Sequence, residues 1–363
     1  MAGGTFVTMN RKQPGFYLNM NSVARASASV GDRGTVVISR HMSWGNPAAF
    51  TRLDSPLEAF AMLGYDYSDD SMLWVREIFL GTNRTSPPKK LLVYRLDTTG
   101  AVKAALSADA LTATAKYPGV RGNDIYVVVS PDVDTEYEVS GGEPGEVAYA
   151  VYTVETVVDG TPVDIQTVGS YIDEDNYVAA VVGDVVDNDW VTFSGTATAL
   201  LTPFVGAPMT GGADGTVLGT AYSNFLLALE DQSFDVVIYD GTDTISKQAL
   251  TGFVKRMSYD FGLYRQAVIA DYTAADDPTV ISNVNSCTIE VGRDANNKPI
   301  YRTLTPQEFT WWLGGAQAGA NIFQSLTYAI KPNAVEAAPV IKPSDRDASI
   351  DKGELAMIKE FDA

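Results

Sequence analysis

Thr35-Val36-Val37-Ile38, then Ser55-Pro56-Leu57-Glu58, then Leu91-Leu92-Val93-Tyr94-Arg95: these three stretches decide the fold. The first is a short strand, apolar on both faces and therefore buried. The second opens a helix, with Ser at the N-cap, Pro in the first turn and Glu three residues after the Ser. Leu57, Phe60, Ala61 and Leu63 follow at helical spacing and Gly64 ends the helix. A second helix is expected over 70–80, with Leu73, Trp74, Glu77 and Ile78 in register. Pro87-Pro88 then breaks the chain before the strand at 91–95. Strand, helix, helix and strand in this order imply a sheet covered by helices.

Working toward the C-terminus, the character changes at about residue 98. Short β runs dominate up to 210: Ile125 to Val129, Val147 to Val158, Tyr177 to Val182 and Trp190 to Phe193. Turns such as Asp159-Gly160 separate them, and helical periodicity is nearly absent. After Gly211-Gly212 the alternation of helix and strand resumes: helix at 222–230, strand at 234–239, helix at 246–259, strand at 264–270. Thr305-Pro306-Gln307-Glu308 repeats the capping-box pattern and opens a helix carrying Phe309, Trp312 and Leu313. The tail from Val335 is rich in Pro and Ala; a short helix from Ser344 and a strand beginning at Leu355-Ala356-Met357-Ile358 close the chain. The fold class expected is an α/β core of discontinuous segments, with an inserted all-β domain and an extended N-terminal arm. The divisions are 1–22 (arm), 23–97 (core, first part), 98–210 (inserted β-rich outer domain), 211–340 (core, second part) and 341–363 (start of a truncated C-terminal domain).

Toward the N-terminus, Phe16, Leu18 and Met20 fall on one side of a strand, and Tyr17, Asn19 and Asn21 on the other. A second strand-like run includes Phe6 and Val7, and Pro14-Gly15 forbids a helix between the two. An unpaired apolar strand seeks a sheet edge, in its own domain or in a neighbour. Phe6, Val7, Phe16, Tyr17, Leu18 and Met20 are therefore the candidate inter-subunit contacts. The segment from Asn21 to Gly34, rich in Ser, Ala and Gly, is a flexible linker candidate.

The 363 residues carry 26 basic and 45 acidic side chains, a net charge of −19. That argues against a nucleic-acid backbone as partner, which needs clustered Lys and Arg, and none is expected. No apolar run is long enough for a membrane-spanning helix, and the N-terminus has no secretory signal pattern. Cys287 is the one cysteine and His41 the one histidine. A zinc site needs several such ligands, and a catalytic triad would have to run through His41, whose neighbours form no nucleophile elbow. Gly211-Gly212-Ala213-Asp214-Gly215 lacks the Lys-Ser/Thr of a phosphate loop and reads as a turn. The acidic groups at 173–175 and at Asp184, Asp187 and Asp189 lack calcium-loop spacing and read as solvated turns. No cofactor and no enzymatic activity are expected.

Taken together, the local motifs resemble contractile phage tail sheath proteins of the prophage and small-myophage type. The resemblance rests on Gln13-Pro14-Gly15-Phe16-Tyr17-Leu18-Asn19, on Ala115-Lys116-Tyr117-Pro118-Gly119-Val120-Arg121-Gly122-Asn123-Asp124-Ile125, and on the runs at 163–168 and 188–195. Met209-Thr210-Gly211-Gly212-Ala213-Asp214-Gly215, Gln324-Ser325-Leu326-Thr327-Tyr328 and Lys352-Gly353-Glu354-Leu355 continue the series in the family's order. The resemblance implies a virion tail subunit, assembled in the host bacterial cytoplasm. Such subunits stack as six-fold rings around a tail tube and exchange arms as strands, with tail tube protein, baseplate and tail terminator as partners. It also implies that the chain continues beyond Gly353-Glu354-Leu355; since this one ends at Ala363, a truncated or partly represented chain is expected. The alternatives are a carbohydrate-binding protein, using exposed tyrosines and tryptophans of the β insert, and another structural tail or baseplate protein.

Overall fold

In the computed structural model, two stretches distant in sequence, 35–95 and 236–283, lie side by side in one six-stranded sheet. The model describes residues 33–138, 147–173, 176–321 and 323–338, with 342, 344, 347, 348, 351, 355 and 357 beyond. The chain divides between Arg33 and Gly34, and the fold described is that of Gly34–Ala363. The strand order is Val280–Asn283, Gln266–Ala270, Val236–Tyr239, Thr35–Arg40, Lys90–Arg95, Phe50–Leu53. All neighbours are parallel except the last pair. Val36 pairs with Leu91 on one side and Val236 on the other.

Parallel strands are buried on both faces, because their crossover helices pack there. Val36, Val37 and Ile38 accordingly have no exposure. Val36 and Ile38 join Leu63, Trp74, Ile78, Phe309 and Leu313 on one face. Val37 turns the other way and meets Phe225, Leu229, Leu250 and Val254 from the Ala221–Leu229 and Thr244–Tyr259 helices. The period of two along the strand thus feeds two separate cores.

The Pro306–Gly319 helix has the expected capping box: Thr305 Oγ1 accepts from Glu308 N, and the Glu308 carboxylate accepts from Thr305 N. It runs between the sheet and the Leu73–Ile78 helix, and its glycines set the spacing. A Cβ at Gly314 would lie 2.3 Å from Ile238 Cγ1, and one at Gly315 would lie 1.9 Å from the Ile78 carbonyl oxygen. Beside this interface Lys331, from the loop after the Pro306–Gly319 helix, and Glu77, both without appreciable exposure, form a buried ion pair with N···O 2.5 Å.

Residues between 98 and 217 form antiparallel sheets. One has the order Thr161–Val168, Tyr152–Val158, Ile125–Pro131, Phe204–Pro208; another has Val191–Gly195, Leu111–Ala115, Ala105–Ala108. Ile125, Val127 and Val129 point inward and Tyr126 and Ser130 outward, the alternation of a half-buried strand. Asp159 and Gly160 both have positive φ, 51° and 74°, the backbone of a two-residue hairpin turn.

Several expectations are corrected. Leu57 is 76 % exposed, because Pro56–Glu58 is a 3-10 turn and the helix proper is only Ala59–Leu63. Glu58 reaches back to Asp54 N, not to Ser55 N. The run from Tyr177 to Val182 is not one strand: Asn176–Val178 is, and Val182–Asp184 is a 3-10 turn, with Ala180 N donating to Ala150 O between them. The run at 147–158 is likewise split, at 150–151. The helix expected from Ser246 starts at Thr244, since Asp243 is the N-cap and accepts from Ser246 N. Ala334–Ala338, inside the Ala-rich tail, is a strand paired with Ser286–Arg293. Leu355 and Met357 are not in a strand. The Asn285 side chain holds them instead, donating to Leu355 O and accepting from Met357 N, as a neighbouring backbone would.

Candidate functional site: a motif junction and open sheet edges

Two of the sequence motifs, 115–125 and 209–215, come together where the chain leaves and rejoins the six-stranded sheet. Thr98–Thr99 pairs with Thr216–Val217 at that point. Asn123 exchanges two hydrogen bonds with Gly212, donating from Nδ2 to its carbonyl (3.1 Å) and accepting from its N–H (2.8 Å). Asp214 accepts from Ser43 Oγ (2.9 Å) and from Val120 N (2.8 Å). Gly119 has φ 141°, and a Cβ there would lie 2.1 Å from the Ser43 carbonyl oxygen. Here only glycine allows both the conformation and the approach.

Two buried arginines complete the junction. Arg95, 2 % exposed, donates to the carbonyls of Gly45 and Pro118. Burial lowers its pKa, with Asp214 opposing that fall. Arg121, 3 % exposed, donates to Gly64 O (2.6 Å) and forks onto Asp159. Burial works against its charge, but Asp159 and Asp124 outweigh it and raise the pKa. Its guanidinium lies 4.5 Å from the Tyr65 ring centroid. Beneath them, Trp44 stacks on Trp190 at 4.9 Å and meets Tyr117 edge-on at 5.2 Å. Trp44 belongs to the first α/β segment yet sits in the core of the β-rich part. The junction is therefore a packed joint whose polar groups are paired except for Arg95 Nε and Thr98 Oγ1, which are buried without a hydrogen-bond partner among the described residues.

The remaining candidates fall out in the same way. His41 is exposed and lines a cavity of about 370 Å³ with Ser39, Arg40, Tyr222, Tyr239 and Asp240. Among the described residues no hydrogen bond ties it to a serine or carboxylate. Arg40 and Asp240 in that cavity are already paired at 2.7 Å. Cys287 is fully buried, and burial pushes its thiol pKa up to about 11. Asp187 accepts from Phe193 N, and Asp189 pairs with Lys116: these acids build turns. Among the described residues no group of three His, Cys, Asp or Glu could hold a metal. No described helix is long and apolar enough to cross a membrane. Trp190, the one tryptophan of the β-rich part, is 5 % exposed, which removes the tryptophan platform from the carbohydrate-binding alternative.

The arm residues Phe6, Val7, Phe16, Tyr17, Leu18 and Met20, and the linker at 21–34 up to Asp32, lie outside the described residues. Edges that could receive a strand are described. Pro299–Leu304 and Ala334–Ala338 flank Ser286–Arg293 as the outer strands of a three-stranded sheet. The Ala334–Ala338 edge is not legible in the sequence, because Ala-Val-Glu-Ala-Ala has almost no β-propensity signal.

Residues 215–363 match the family model described as phage tail sheath protein central domain, and residues 33–96 match that of tail sheath protein Gp18 domain III, N-terminal region. The two matched stretches hold all six strands of the six-stranded sheet. The chain is 30% identical over 373 residues to the phage-like element PBSX protein XkdK of Bacillus subtilis, covering 100% of this chain and 72% of that protein. It is similar in structure to a sheath tail protein of Desulfitobacterium hafniense: TM-score 0.72, 33% identity, 94% of this chain and 71% of that one. A sheath tail protein of Listeria innocua gives TM-score 0.72, 26% identity, and covers 91% of this chain and 66% of that one.

Proposed function

The chain belongs to the phage tail sheath family, and from that premise we propose that it is the subunit of a contractile sheath. It is a structural component of the virion tail that self-assembles, and not an enzyme. In the proposed mechanism, subunits form six-fold rings stacked around a tail tube. Contraction of the rings drives the tube through the host envelope. Tail tube, baseplate and tail terminator are the proposed partners, and the host bacterial cytoplasm the proposed site of assembly.

The observation that carries this reading is the contrast between a rigidly jointed body and an apolar arm. Arg95, Arg121, Asp214 and the Trp44–Trp190 stack join the sheets of the body. The arm around Phe16, Leu18 and Met20 is proposed to pair with a sheet edge in a neighbouring subunit. A rigid body can rotate between two packings while main-chain pairing through a flexible linker persists. The extended sheath is then a store of interface free energy, released as contacts between bodies grow. The β-rich part, 98–210, is proposed as an outward-facing insertion between the two parts of the core. The acidic charge keeps free subunits soluble before assembly.

Electron microscopy of full-length protein tests the reading: helical tubes or stacked six-fold rings are expected. Deleting residues 1–20 is expected to abolish polymerisation, and Leu18→Asp to weaken it while the monomer stays folded. Normal tubes from the deletion would refute the arm mechanism; an unfolded Leu18→Asp monomer would make this an ordinary core strand.

A further inference from the structure

Lys331 and Glu77 are an expensive pair to bury, and neither serves the junction or the sheet edges. Lys331 Nζ lies 2.5 Å from Glu77 Oε2, with side-chain exposures of 0% and 1%. Nζ also donates to Asn333 Oδ1. The Asn333 amide closes the loop, donating from Nδ2 to Glu77 Oε1 at 2.7 Å. One carboxylate therefore touches both the amine of Lys331 and the amide nitrogen of Asn333. The surroundings are apolar: the Trp312 ring centroid is 5.7 Å from Nζ. Oε2, though close to the ammonium, receives no well-aligned hydrogen bond from any described group.

We propose that this triad forms an amide bond between Lys331 Nζ and Asn333 Cγ, with Glu77 as the proton carrier. An amine, a carboxamide and a carboxyl group held together in an apolar pocket are the components such a reaction needs. Burial weakens the hold of Lys331 on its proton, while the Glu77 charge opposes that loss. Transfer of one proton from Nζ to Oε2 leaves a neutral amine and a neutral acid, removing two buried charges. The Nζ lone pair then attacks Asn333 Cγ, which its own hydrogen bond to Oδ1 already holds nearby. As the new N–C bond forms, the Cγ–Nδ2 bond breaks. The carboxyl turns to present the protonated Oε2 to the departing nitrogen and gives it that proton, and the freed Oε1 takes up the second proton shed by Nζ. Ammonia leaves, so lysine amine and asparagine amide become a secondary amide plus ammonia, with no change of oxidation state and no co-reactant. Holding the groups in contact substitutes for chemical activation, and the shared carboxyl provides the acid–base work. The product staples the chain immediately before the outer strand Ala334–Ala338.

Intact-mass spectrometry of the purified full chain tests this directly. The mass is expected to be lower than the sequence mass by one ammonia. Fragmentation should place the loss in a peptide containing both Lys331 and Asn333. A succinimide at Asn333 loses the same mass, so Lys331→Arg and mild alkali discriminate. The staple is absent from Lys331→Arg and survives alkali, whereas a succinimide persists in that variant and hydrolyses. Glu77→Gln, which keeps the shape and removes the carrier, should show the full sequence mass. A wild-type chain at its full sequence mass overturns the proposal, whatever the variants do; so does an ammonia loss that remains in Lys331→Arg.

Discussion

Gly315→Ala and Gly252→Ala are the same chemical change in two helices, and the structure gives them opposite signs. In an exposed helix interior, Gly to Ala stabilises by about 1 kcal/mol, through lower backbone entropy in the unfolded chain. Gly252, in the Thr244–Tyr259 helix, is exposed, and a Cβ there meets nothing within 4 Å. It should show that gain. At Gly315 the new Cβ would lie 1.9 Å from Ile78 O, 2.8 Å from Ile78 C and 3.0 Å from Ile78 Cα. These are backbone atoms and cannot swing aside as a side chain can. The Pro306–Gly319 and Leu73–Ile78 helices would have to part by roughly 1 Å in a close-packed core. On the other side, Gly314 already sits against Ile238, so the helix cannot retreat toward the sheet. Overpacking costs about 1–3 kcal/mol, at the upper end when backbone is the obstacle, and parting the helices also weakens the contacts of Phe309 and Trp312. After subtracting the propensity gain, the expected net loss is about 2 kcal/mol. Urea unfolding followed by tryptophan fluorescence reads both variants. With an m-value of about 3 kcal/mol/M, the midpoint falls by roughly 0.7 M for Gly315→Ala and rises by roughly 0.3 M for Gly252→Ala. If the Gly315→Ala midpoint matches or exceeds wild type, the close helix contact is wrong.

Three further outcomes are expected. Arg121→Ala removes donors from Gly64 O and Asp159; because Asp159 is half exposed and can rehydrate, the loss should be about 2–3 kcal/mol, read as a lower urea midpoint. Trp44→Ala opens a cavity beside Trp190 and Tyr117 and should cost about 3–5 kcal/mol, with a matching change in near-ultraviolet circular dichroism; an unchanged spectrum would remove Trp44 from the joint. Cys287 has its folded pKa raised from 9.0 to about 11, first by burial, with Lys331 opposing and Glu77 reinforcing. The unfolded thiol ionises first, so its contribution to stability is full below pH 9 and is lost as pH rises toward 11. Cys287→Ala should therefore flatten the decline in unfolding free energy over that window by on the order of 2 kcal/mol.

The parts of the fold that were legible in the sequence are those with one dominant local cause. Thr35–Arg40 reads as a buried strand because both its faces are apolar, and Thr305-Pro306-Gln307-Glu308 as a helix start because its cap is complete within four residues. What failed has a non-local cause. Ala334–Ala338 is a strand because Ser286–Arg293 offers an edge, and nothing in Ala-Val-Glu-Ala-Ala announces it. Leu57 lies on the apolar stripe of an ideal helix, but a 3-10 first turn rotates it into solvent. Glu77 sits at a helical core spacing and is buried; its partner Lys331 lies 254 positions away, beyond the reach of any spacing rule.

The motifs that carried the family resemblance have a physical reason to be legible. Tyr117-Pro118-Gly119-Val120-Arg121-Gly122-Asn123-Asp124 and Gly211-Gly212-Ala213-Asp214-Gly215 face each other across the junction, and each residue type there answers a constraint that few others meet. Gly119 needs a positive φ and contact with a carbonyl. Arg121 must satisfy a buried carbonyl and a carboxylate at once. Asn123 must both donate to and accept from one backbone unit, which a carboxamide does with two separate atoms, Nδ2 and Oδ1. Asp214 must accept from a hydroxyl and an amide. A surface that binds another subunit by apolar area imposes no such residue-by-residue demand, because many side chains of similar size serve equally well. These two motifs therefore report the joint between the sheets, while the proposed contacts between subunits have to be found by assembly experiments on the arm and the sheet edges.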